Sequence, residues 1–248
     1  MRFLLTSHGS TGDIFPMIRL GHALVQAGHH VRFATVNLFK NDVEAAGLCF
    51  VHLPPDWDQN AFAEAMRDLT KSKNSIDLLK IIYSEAEPFL DDIIEILRRE
   101  LETTDVFVCN YIFGNLCQLA RKMEVPCAVT TFAHNAIPSY SKSPITLPRF
   151  LTLPHLIKKP FNKFSWKIAD KILCWNINQV LGETLRHNEI GQVESYLIDP
   201  ADKILVTVSP GLFQPKQTWN DSFTFTGYLR WQAAEDPVKE KALIEFCQ

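Results

Sequence analysis

Short apolar and polar blocks alternate along the first third of the chain. The letters FLL near the N-terminus predict a buried strand over residues 3–6. Apolar residues then recur at helical spacing over residues 16–26, and Gly28 follows as a helix end because glycine tolerates positive φ. Repeated strand–helix units of this length indicate a parallel sheet with right-handed crossovers. The next predicted elements are a strand over 30–35, a short helix over 39–46 and a strand over 48–53.

The rest of the chain continues this alternation after a long helical part. Residues 59–102 are predicted to be helical, with a break at Pro88, and five prolines between 133 and 160 rule out one long helix there. Further predicted strands cover 105–109, 126–131, 204–209 and 223–226, and further helices cover 114–122 and 161–189. The pattern therefore predicts one α/β domain with a doubly wound, Rossmann-like parallel sheet over residues 1–228. Residues 229–248 are interpreted as a linker and the start of a further domain.

Composition and charge narrow the classes of function. The net charge of −3 and the calculated pI of about 6.2 provide no basic surface for nucleic acid. The N-terminal apolar run is too short for a signal peptide, and no segment approaches 18 uninterrupted apolar residues. The six cysteines form no CxxC pair, so reduced thiols are expected, with a disulfide framework or a zinc site as the alternative. These features predict a cytoplasmic protein.

The stretch SHGSTGDIFP follows the first predicted strand and contains the candidate chemistry. It places Gly9 and Gly12 in the strand–helix loop where Rossmann-type folds hold phosphates, yet it is not GxGxxG. Asp13 stands where an approaching phosphate would be repelled. Ligands of doubly wound sheets bind at the carboxyl ends of the strands, and this loop is one of three at such ends, with 110–114 and 133–138. Taken alone, the motif is equally compatible with a plain turn.

The surrounding sequence resembles a known family. The segment SHGSTGDIFPMIRLGHALVQAGHHVRFAT is similar to the N-terminal domain of GT-B-fold UDP-glycosyltransferases, most of all the sterol, macrolide and glycopeptide type. That type carries a GSxGDxxP loop, a helix ending in AGH and a strand ending in AT. The segments DVFVCNYIFGNLCQLARKMEVPCAV and SPGLFQPKQTWNDSFTFTGY resemble its later parts, in the same order.

The resemblance implies a reaction and its division between two domains. Such enzymes transfer a sugar from a nucleotide diphosphate sugar, of UDP or dTDP type, to an acceptor hydroxyl with inversion, and no metal or other cofactor is implied. The N-terminal domain binds the acceptor, and a C-terminal domain binds most of the donor. None of the C-terminal motifs occurs in this chain, so it is expected to need a donor domain in cis or in trans. The resemblance assigns the donor phosphates to the loop residues Gly9, Ser10, Thr11 and Gly12.

The same resemblance suggests the catalytic base. Asp13 matches the aspartate of GSxGD and is predicted to take the proton of the acceptor hydroxyl. The alternative is that Asp13 caps a helix opening at Ile14. His8 is a weaker candidate for the base. In plant and mammalian relatives a loop histidine is oriented by a later aspartate, and Asn110 stands at that aspartate's position here and cannot stabilise an imidazolium as a carboxylate does.

Aromatic residues are frequent where this family builds its acceptor pocket. They suit a large apolar acceptor such as a sterol, a polyketide or a lipid headgroup carrier, although core packing explains many of them equally well. His134 either contacts the acceptor or diphosphate, or is a surface loop histidine. The predicted acceptor-binding residues are Trp57, Tyr83, Asn110, Phe132 and His134.

The segment KKPFNKFSWKIADK, residues 158–171, leaves a further alternative open. Its five lysines are interleaved with Phe161, Phe164 and Trp166, which fits either peripheral contact with an anionic membrane, on its inner face, or a solvated helix surface.

Two other functions also stay open for the chain as a whole. One is a relative acting on a lipid-linked sugar, whose loop runs GGTGGHxxP. The other is a non-catalytic subunit that binds an acceptor or a membrane and recruits a separate donor-binding chain.

Overall fold

Parallel strands form a single sheet at the centre of the fold. The computed structural model describes residues 1–132, 137, 138, 144, 155–209, 211 and 222–231. The seven strands within these residues are β1 (Arg2–Thr6), β2 (His30–Thr35), β3 (Cys49–His52), β4 (Val106–Asn110), β5 (Cys127–Thr131), β6 (Lys203–Val206) and β7 (Phe223–Phe225). Their order in the sheet is β3-β2-β1-β4-β5-β6-β7. The sheet confirms the predicted doubly wound α/β fold. The chain moves to opposite sides of β1, so the loops after β1 and β4 meet at the switch point where such sheets bind ligands.

In the described part of the chain, seven helices and three short 3₁₀ turns accompany the strands. The helices are α1 (Thr11–Gln26), α2 (Lys40–Ala45), α3 (Gln59–Leu69), α4 (Ser75–Ala86), α5 (Leu90–Leu101), α6 (Cys117–Lys122) and α7 (His155–His187). A 3₁₀ turn at Glu87–Phe89 confirms the break at Pro88. The sequence did not predict the break between α3 and α4, which occurs where the Asn74 side chain accepts hydrogen bonds from the N–H groups of Ile76 and Asp77.

The start of α1 corrects one prediction. The helix begins at Thr11, five residues before the predicted start, because Ser10 and Asp13 form a capping box that satisfies the first free N–H groups. Pro16 lies inside the helix, although proline favours a first-turn position, and its missing N–H leaves one helical hydrogen bond unmade. Asp13 does cap the helix, as the alternative held, but it does so from the first turn of a helix that begins at Thr11 and not from a position before Ile14.

Both faces of the sheet are covered by apolar packing. Successive residues of β1 point to opposite sides, so Leu4 belongs to one buried cluster and Leu5 to the other. The Leu4 side packs against α4, α5, α6 and α7, and the Leu5 side packs against α1 and α2.

Among the described cysteines, all are free thiols, and Cys49 is exposed while Cys109, Cys117, Cys127 and Cys174 are buried. Residues 232–248 of the predicted linker lie outside the described part of the chain.

Candidate functional site

Asp13 lies in the first turn of α1, and local hydrogen bonds fix its carboxylate. Asp13 Oδ2 accepts hydrogen bonds from the backbone N–H of Ser10 at 3.0 Å and from the Ser10 hydroxyl at 3.2 Å. Ser7 Oγ donates to the backbone carbonyl of Asp13 at 3.1 Å. The carboxylate therefore closes the helix N-terminus, where the helix dipole favours negative charge.

Gly9 and Gly12 have different structural roles in this loop. Gly9 has φ +122°, and a Cβ atom there would lie 2.4 Å from Asp13 Oδ2. Gly12 is in the first turn of α1, where a Cβ atom would meet only Ser10 Oγ, at 3.4 Å. Gly9 is thus required by the position of the Asp13 carboxylate itself. Gly12 and the neighbouring Thr11 are exposed at the helix N-terminus.

Asn110 orients Asp13 from the neighbouring strand. It ends β4 with a fully buried side chain, and its Nδ2 lies 3.4 Å from Asp13 Oδ1 and 3.3 Å from Ser7 Oγ. Its Oδ1 accepts a hydrogen bond from the N–H of Ile112 at 3.0 Å. The amide therefore donates toward the aspartate and has no hydrogen bond to His8 among the described residues. Asn110 is not among the residues that line the cavity described below, and its acceptor-binding role stays a prediction.

Burial changes the protonation of both candidate bases. Burial raises the pKa of the Asp13 carboxyl, and hydrogen bonds from Ser10 and Asn110 oppose that shift in part. Burial lowers the pKa of His8 to about 4, so the imidazole is neutral near pH 7. His8 Nε2 is buried without a hydrogen-bond partner among the described residues, and the ring lies 5.5 Å from that of Phe113. The site therefore holds a carboxylate of raised basicity beside an uncharged imidazole.

A cavity of about 250 Å³ opens over these residues. One end is polar and contains His8, Gly9, Ser10 and Asp13, whereas the remaining wall is mostly apolar. Glu85 of α4 adds a second carboxylate, which is exposed to solvent. The rest of the wall comprises Pro54, Pro55, Trp57, Ala65, Met66, Leu69, Leu78, Ile82, Ala86, Ile93, Ile112 and Phe113. An apolar molecule can thus lie along the helices with a polar group at the loop after β1.

The predicted acceptor residues are placed unevenly around this cavity. Trp57 lines it, with its ring 5.5 Å from that of Phe62. Tyr83 is buried behind the wall and donates its hydroxyl hydrogen to the carbonyl of Ile112, so it supports the pocket and does not line it. Phe132 is half-buried and packs against the apolar cluster on the Leu5 side of the sheet. His134 lies outside the described residues.

Among the apolar side chains of this wall, sequence reasoning named only Trp57 individually. Helix α4 buries Leu79 and Tyr83 against the core, yet it also presents Leu78 and Ile82 to the cavity. The segment SIDLLKIIYSEA is apolar on two faces, which is the signal that a second buried surface exists. A cis peptide bond between Pro54 and Pro55 is found where the chain enters the same wall.

Comparisons with known proteins agree with the fold and with the family that the sequence resembles. The model of the glycosyltransferase family 28 N-terminal domain matches residues 3–130. A sterol 3-beta-glucosyltransferase of Pichia angusta is 28% identical over 260 residues, covering 100% of this chain and 19% of that protein. A protein of Mycobacterium tuberculosis is 28% identical over 256 residues, covering 97% of this chain and 56% of its own length. The chain thus spans little more than half of that relative.

Solved structures share the fold at low sequence identity. The glycosyltransferase of kitacinnamycin superposes with a TM-score of 0.59 at 16% identity, covering 95% of this chain and 53% of that one. A glycosyltransferase of Streptomyces sp. SF2575, complexed with thymidine diphosphate, gives 0.56 at 17% identity, covering 95% and 55%. The family match extends over half of the sequence. This chain therefore belongs to the glycosyltransferase family 28 N-terminal domains and has the fold of the N-terminal domain of a GT-B glycosyltransferase.

Proposed function

We propose that this chain is the acceptor-binding part of an inverting glycosyltransferase that acts on an apolar molecule bearing a hydroxyl group. One observation carries the proposal: the fixed carboxylate of Asp13 lies at the polar end of a mostly apolar cavity. An acceptor held along Leu78 and Ile82 would present its hydroxyl to that carboxylate. The sterol glucosyltransferases among the relatives support an acceptor of this kind.

The proposed reaction is a direct displacement at the anomeric carbon. Asp13 Oδ2 already accepts two hydrogen bonds from Ser10, so we assign proton removal to Oδ1. The acceptor hydroxyl gives its proton to Oδ1, and its oxygen forms a bond to the anomeric carbon. The bond from that carbon to the diphosphate oxygen breaks on the opposite face, and its electron pair leaves with the nucleoside diphosphate. The raised pKa of Asp13 makes the carboxylate a better base for this step.

His8 is the rival base, and we assign it a lesser role than Asp13. Its neutral imidazole could take a proton, but a pKa near 4 makes it a weak base at neutral pH. A catalytic histidine also needs a partner that stabilises its charged form. Asn110 donates toward Asp13 and Ser7 instead. We assign to the neutral His8 ring a place in the polar end of the cavity wall, beside the substrate.

The donor is proposed to be a UDP- or dTDP-sugar, bound mainly by a second domain in cis or in trans. The thymidine diphosphate in the Streptomyces structure supports a nucleotide donor. We assign a contact with its phosphates to the loop residues Gly9 to Gly12, of which Thr11 and Gly12 are exposed, because the dipole at the α1 N-terminus attracts anions. No metal or other cofactor is included in this proposal.

The full-length protein provides the test. It is incubated with UDP-glucose or dTDP-glucose and a panel of hydroxylated acceptors, namely a sterol, a macrolide aglycone and a lipid alcohol, and the anomeric configuration of each product is determined. Transfer to at least one apolar acceptor with inversion is expected. Retention of configuration, or transfer confined to polar acceptors, would overturn the proposal. Transfer from a lipid-linked donor alone would favour the lipid-linked alternative.

A further inference from the structure

The outer face of α7 carries an exposed apolar stripe. Phe164, Ile168, Ile172 and Trp175 follow one another every three or four residues, so they lie on one side of the helix. Their exposed fractions are 61%, 39%, 43% and 61%. Seven large apolar side chains are exposed in the described part of the chain, and four of them belong to this stripe. Exposed apolar residues that are scattered need no explanation, but a contiguous stripe marks an interaction surface.

The fold itself does not use this stripe. The opposite face of α7 packs into the core through Leu173, Ile177, Leu181 and Leu185, which are all at most 7% exposed. Trp166, which the sequence suggested for a membrane surface, belongs to the buried face at 4% exposure, and that part of the expectation is wrong. The exposed aromatic positions are Phe164 and Trp175, and the second of these lies beyond the predicted basic segment.

Lysines accompany the stripe along α7. The exposed Glu194 of the following segment lies beside them, since its backbone carbonyl accepts a hydrogen bond from Lys171 Nζ at 3.3 Å. Residues 158–175 contain a single carboxylate, Asp170. Asp170 is 4% exposed and accepts hydrogen bonds from Ser195 Oγ and from the N–H groups of Tyr196 and Leu197, so its charge points into the protein. The next carboxylate along the helix is Glu183, two turns beyond Trp175. The exposed lysines of this segment are Lys158, Lys159, Lys163, Lys167 and Lys171.

Helix α4 separates this face from the candidate acceptor pocket. Its residues Leu79 and Tyr83 face Leu173 and Ile177 of α7 across a narrow gap. The other side of α4 lines the cavity, as described above. One helix is about 10 Å thick with its side chains, so the stripe lies about two helix diameters from the cavity. The exposed stripe of α7 and the acceptor pocket therefore lie on opposite sides of α4.

We propose that the outer face of α7 docks on an anionic lipid bilayer. The four apolar side chains enter the boundary between headgroups and acyl chains, and the lysines contact lipid phosphates, as in peripheral amphipathic helices. A second copy of the chain is a poorer occupant, because a symmetric pairing would bring the same lysines face to face. No described helix is long and apolar enough to cross a membrane, so the contact is peripheral.

This inference goes beyond the proposed function and does not depend on sugar transfer. It places a lipid phase about two helix diameters from the apolar pocket. The test uses the chain itself and vesicles, with no donor or acceptor present, so it can fail or succeed whatever the enzymatic result.

Vesicle flotation measures the docking directly. The probes are vesicles of phosphatidylcholine alone and vesicles with about 30% phosphatidylserine, because the attraction needs anionic lipid. We expect the chain to float with the anionic vesicles and to be released as salt rises. Lys167→Glu with Lys171→Glu is expected to weaken partitioning by at least roughly 20-fold, since each lysine near such a surface contributes about fivefold. Trp175→Ala is expected to weaken partitioning at every salt concentration.

Matched variants distinguish a loss of membrane docking from misfolding of the chain and from binding of a different partner to this face of α7. Lys40→Glu with Lys73→Glu reverses two exposed lysines elsewhere and should leave flotation within about twofold of the unchanged chain. Circular dichroism checks the helix content of each variant. Failure of the folded chain to bind anionic vesicles at low salt overturns the proposal. Equal binding to both vesicle types also overturns it. The proposal is likewise overturned if light scattering shows a dimer that Trp175→Ala dissociates, while the unchanged chain binds no vesicles.

Discussion

Asn110 Nδ2 lies 3.4 Å from Asp13 Oδ1, although 97 residues separate them in the sequence. The contact arises because β1 and β4 are adjacent, with Thr6 paired to Cys109, so the residues just beyond the two strand ends meet. Ser7 joins the same group through its hydroxyl. The topology of the sheet thus assembles a supported carboxylate from two loops that the sequence suggested separately.

Replacing Asp13 by asparagine should remove the base while preserving its shape. We expect Asp13→Asn in the full-length protein to lower kcat by about 10²–10⁴-fold, the usual contribution of general-base catalysis. Acceptor affinity, measured by fluorescence titration, should change by less than about threefold, because the apolar wall is unaltered. His8→Gln serves as the comparison. If His8→Gln lowers kcat to that extent and Asp13→Asn does not, the base has been misassigned.

Asn110→Asp should alter the pH dependence through Asp13. A second carboxylate 3.4 Å away disfavours ionisation of the pair, so the pKa governing the base rises further. The base acts in its ionised form. As the pH is lowered, the activity of Asn110→Asp should therefore be lost at a higher pH than that of the unchanged protein. The kcat–pH profile is expected to shift its acid limb upward by about one unit or more. An acid limb that stays in place would indicate that Asn110 does not influence the catalytic group.

The two loop glycines provide a matched pair for stability. Gly9→Ala forces a side chain into φ +122° and against Asp13 Oδ2, and a cost of roughly 1–3 kcal/mol is expected for such strain. Gly12→Ala occupies an ordinary helical position with room for the methyl group, and alanine is the better helix former by about 1 kcal/mol. Urea unfolding of both variants should therefore give shifts of opposite sign. Equal destabilisation by both would show that the loop differs from this geometry.

His8 should make the protein less stable in mild acid. Its pKa is about 4 in the folded protein and near 6.5 when unfolded, so the unfolded chain binds more protons between these values. The unfolding free energy should fall as the pH is lowered from about 6.5 to 4, by at most about 1.4 kcal/mol per pH unit from this group. The raised pKa of Asp13 contributes with the opposite sign.

The comparison of His8→Phe with the unchanged chain isolates this contribution. The substitution keeps an aromatic ring near Phe113 and removes the buried Nε2. Urea unfolding at pH 7 and pH 5 should show a smaller loss of stability for His8→Phe between the two conditions. Identical losses in both proteins would mean that His8 is readily protonated in the folded state.

The sequence predicts the framework of the site better than its walls. Alternating apolar blocks locate β1 and β4, and the glycine-rich loop identifies Asp13, because these signals are local. The side-chain partners are not local: Asn110 has its role only because its strand lies beside β1. Tyr83 was expected at the acceptor, but a buried tyrosine needs a hydrogen-bond partner and finds it in the Ile112 carbonyl behind the wall. Trp57 does line the pocket, because the segment after β3 turns over it.

The cavity wall offers a test of acceptor binding that leaves the catalytic group untouched. Ala65 of α3 lines the cavity, whereas Ala63 on the same helix is exposed and does not. Ala65→Phe should occupy space that the acceptor needs, because a small-to-large change in a packed site costs about 1–3 kcal/mol. Ala63→Phe adds the same ring to solvent and serves as the control.

The expected result is a selective loss of affinity. Ala65→Phe should weaken acceptor binding by roughly tenfold or more, since 1.4 kcal/mol corresponds to a factor of ten. Turnover with a saturating small acceptor should stay within about threefold, because Asp13 and the loop after β1 are not displaced. Fluorescence titration with a sterol, alongside the KM for a short alcohol, measures both effects. If Ala65→Phe and Ala63→Phe bind the sterol equally well, the acceptor does not occupy this cavity.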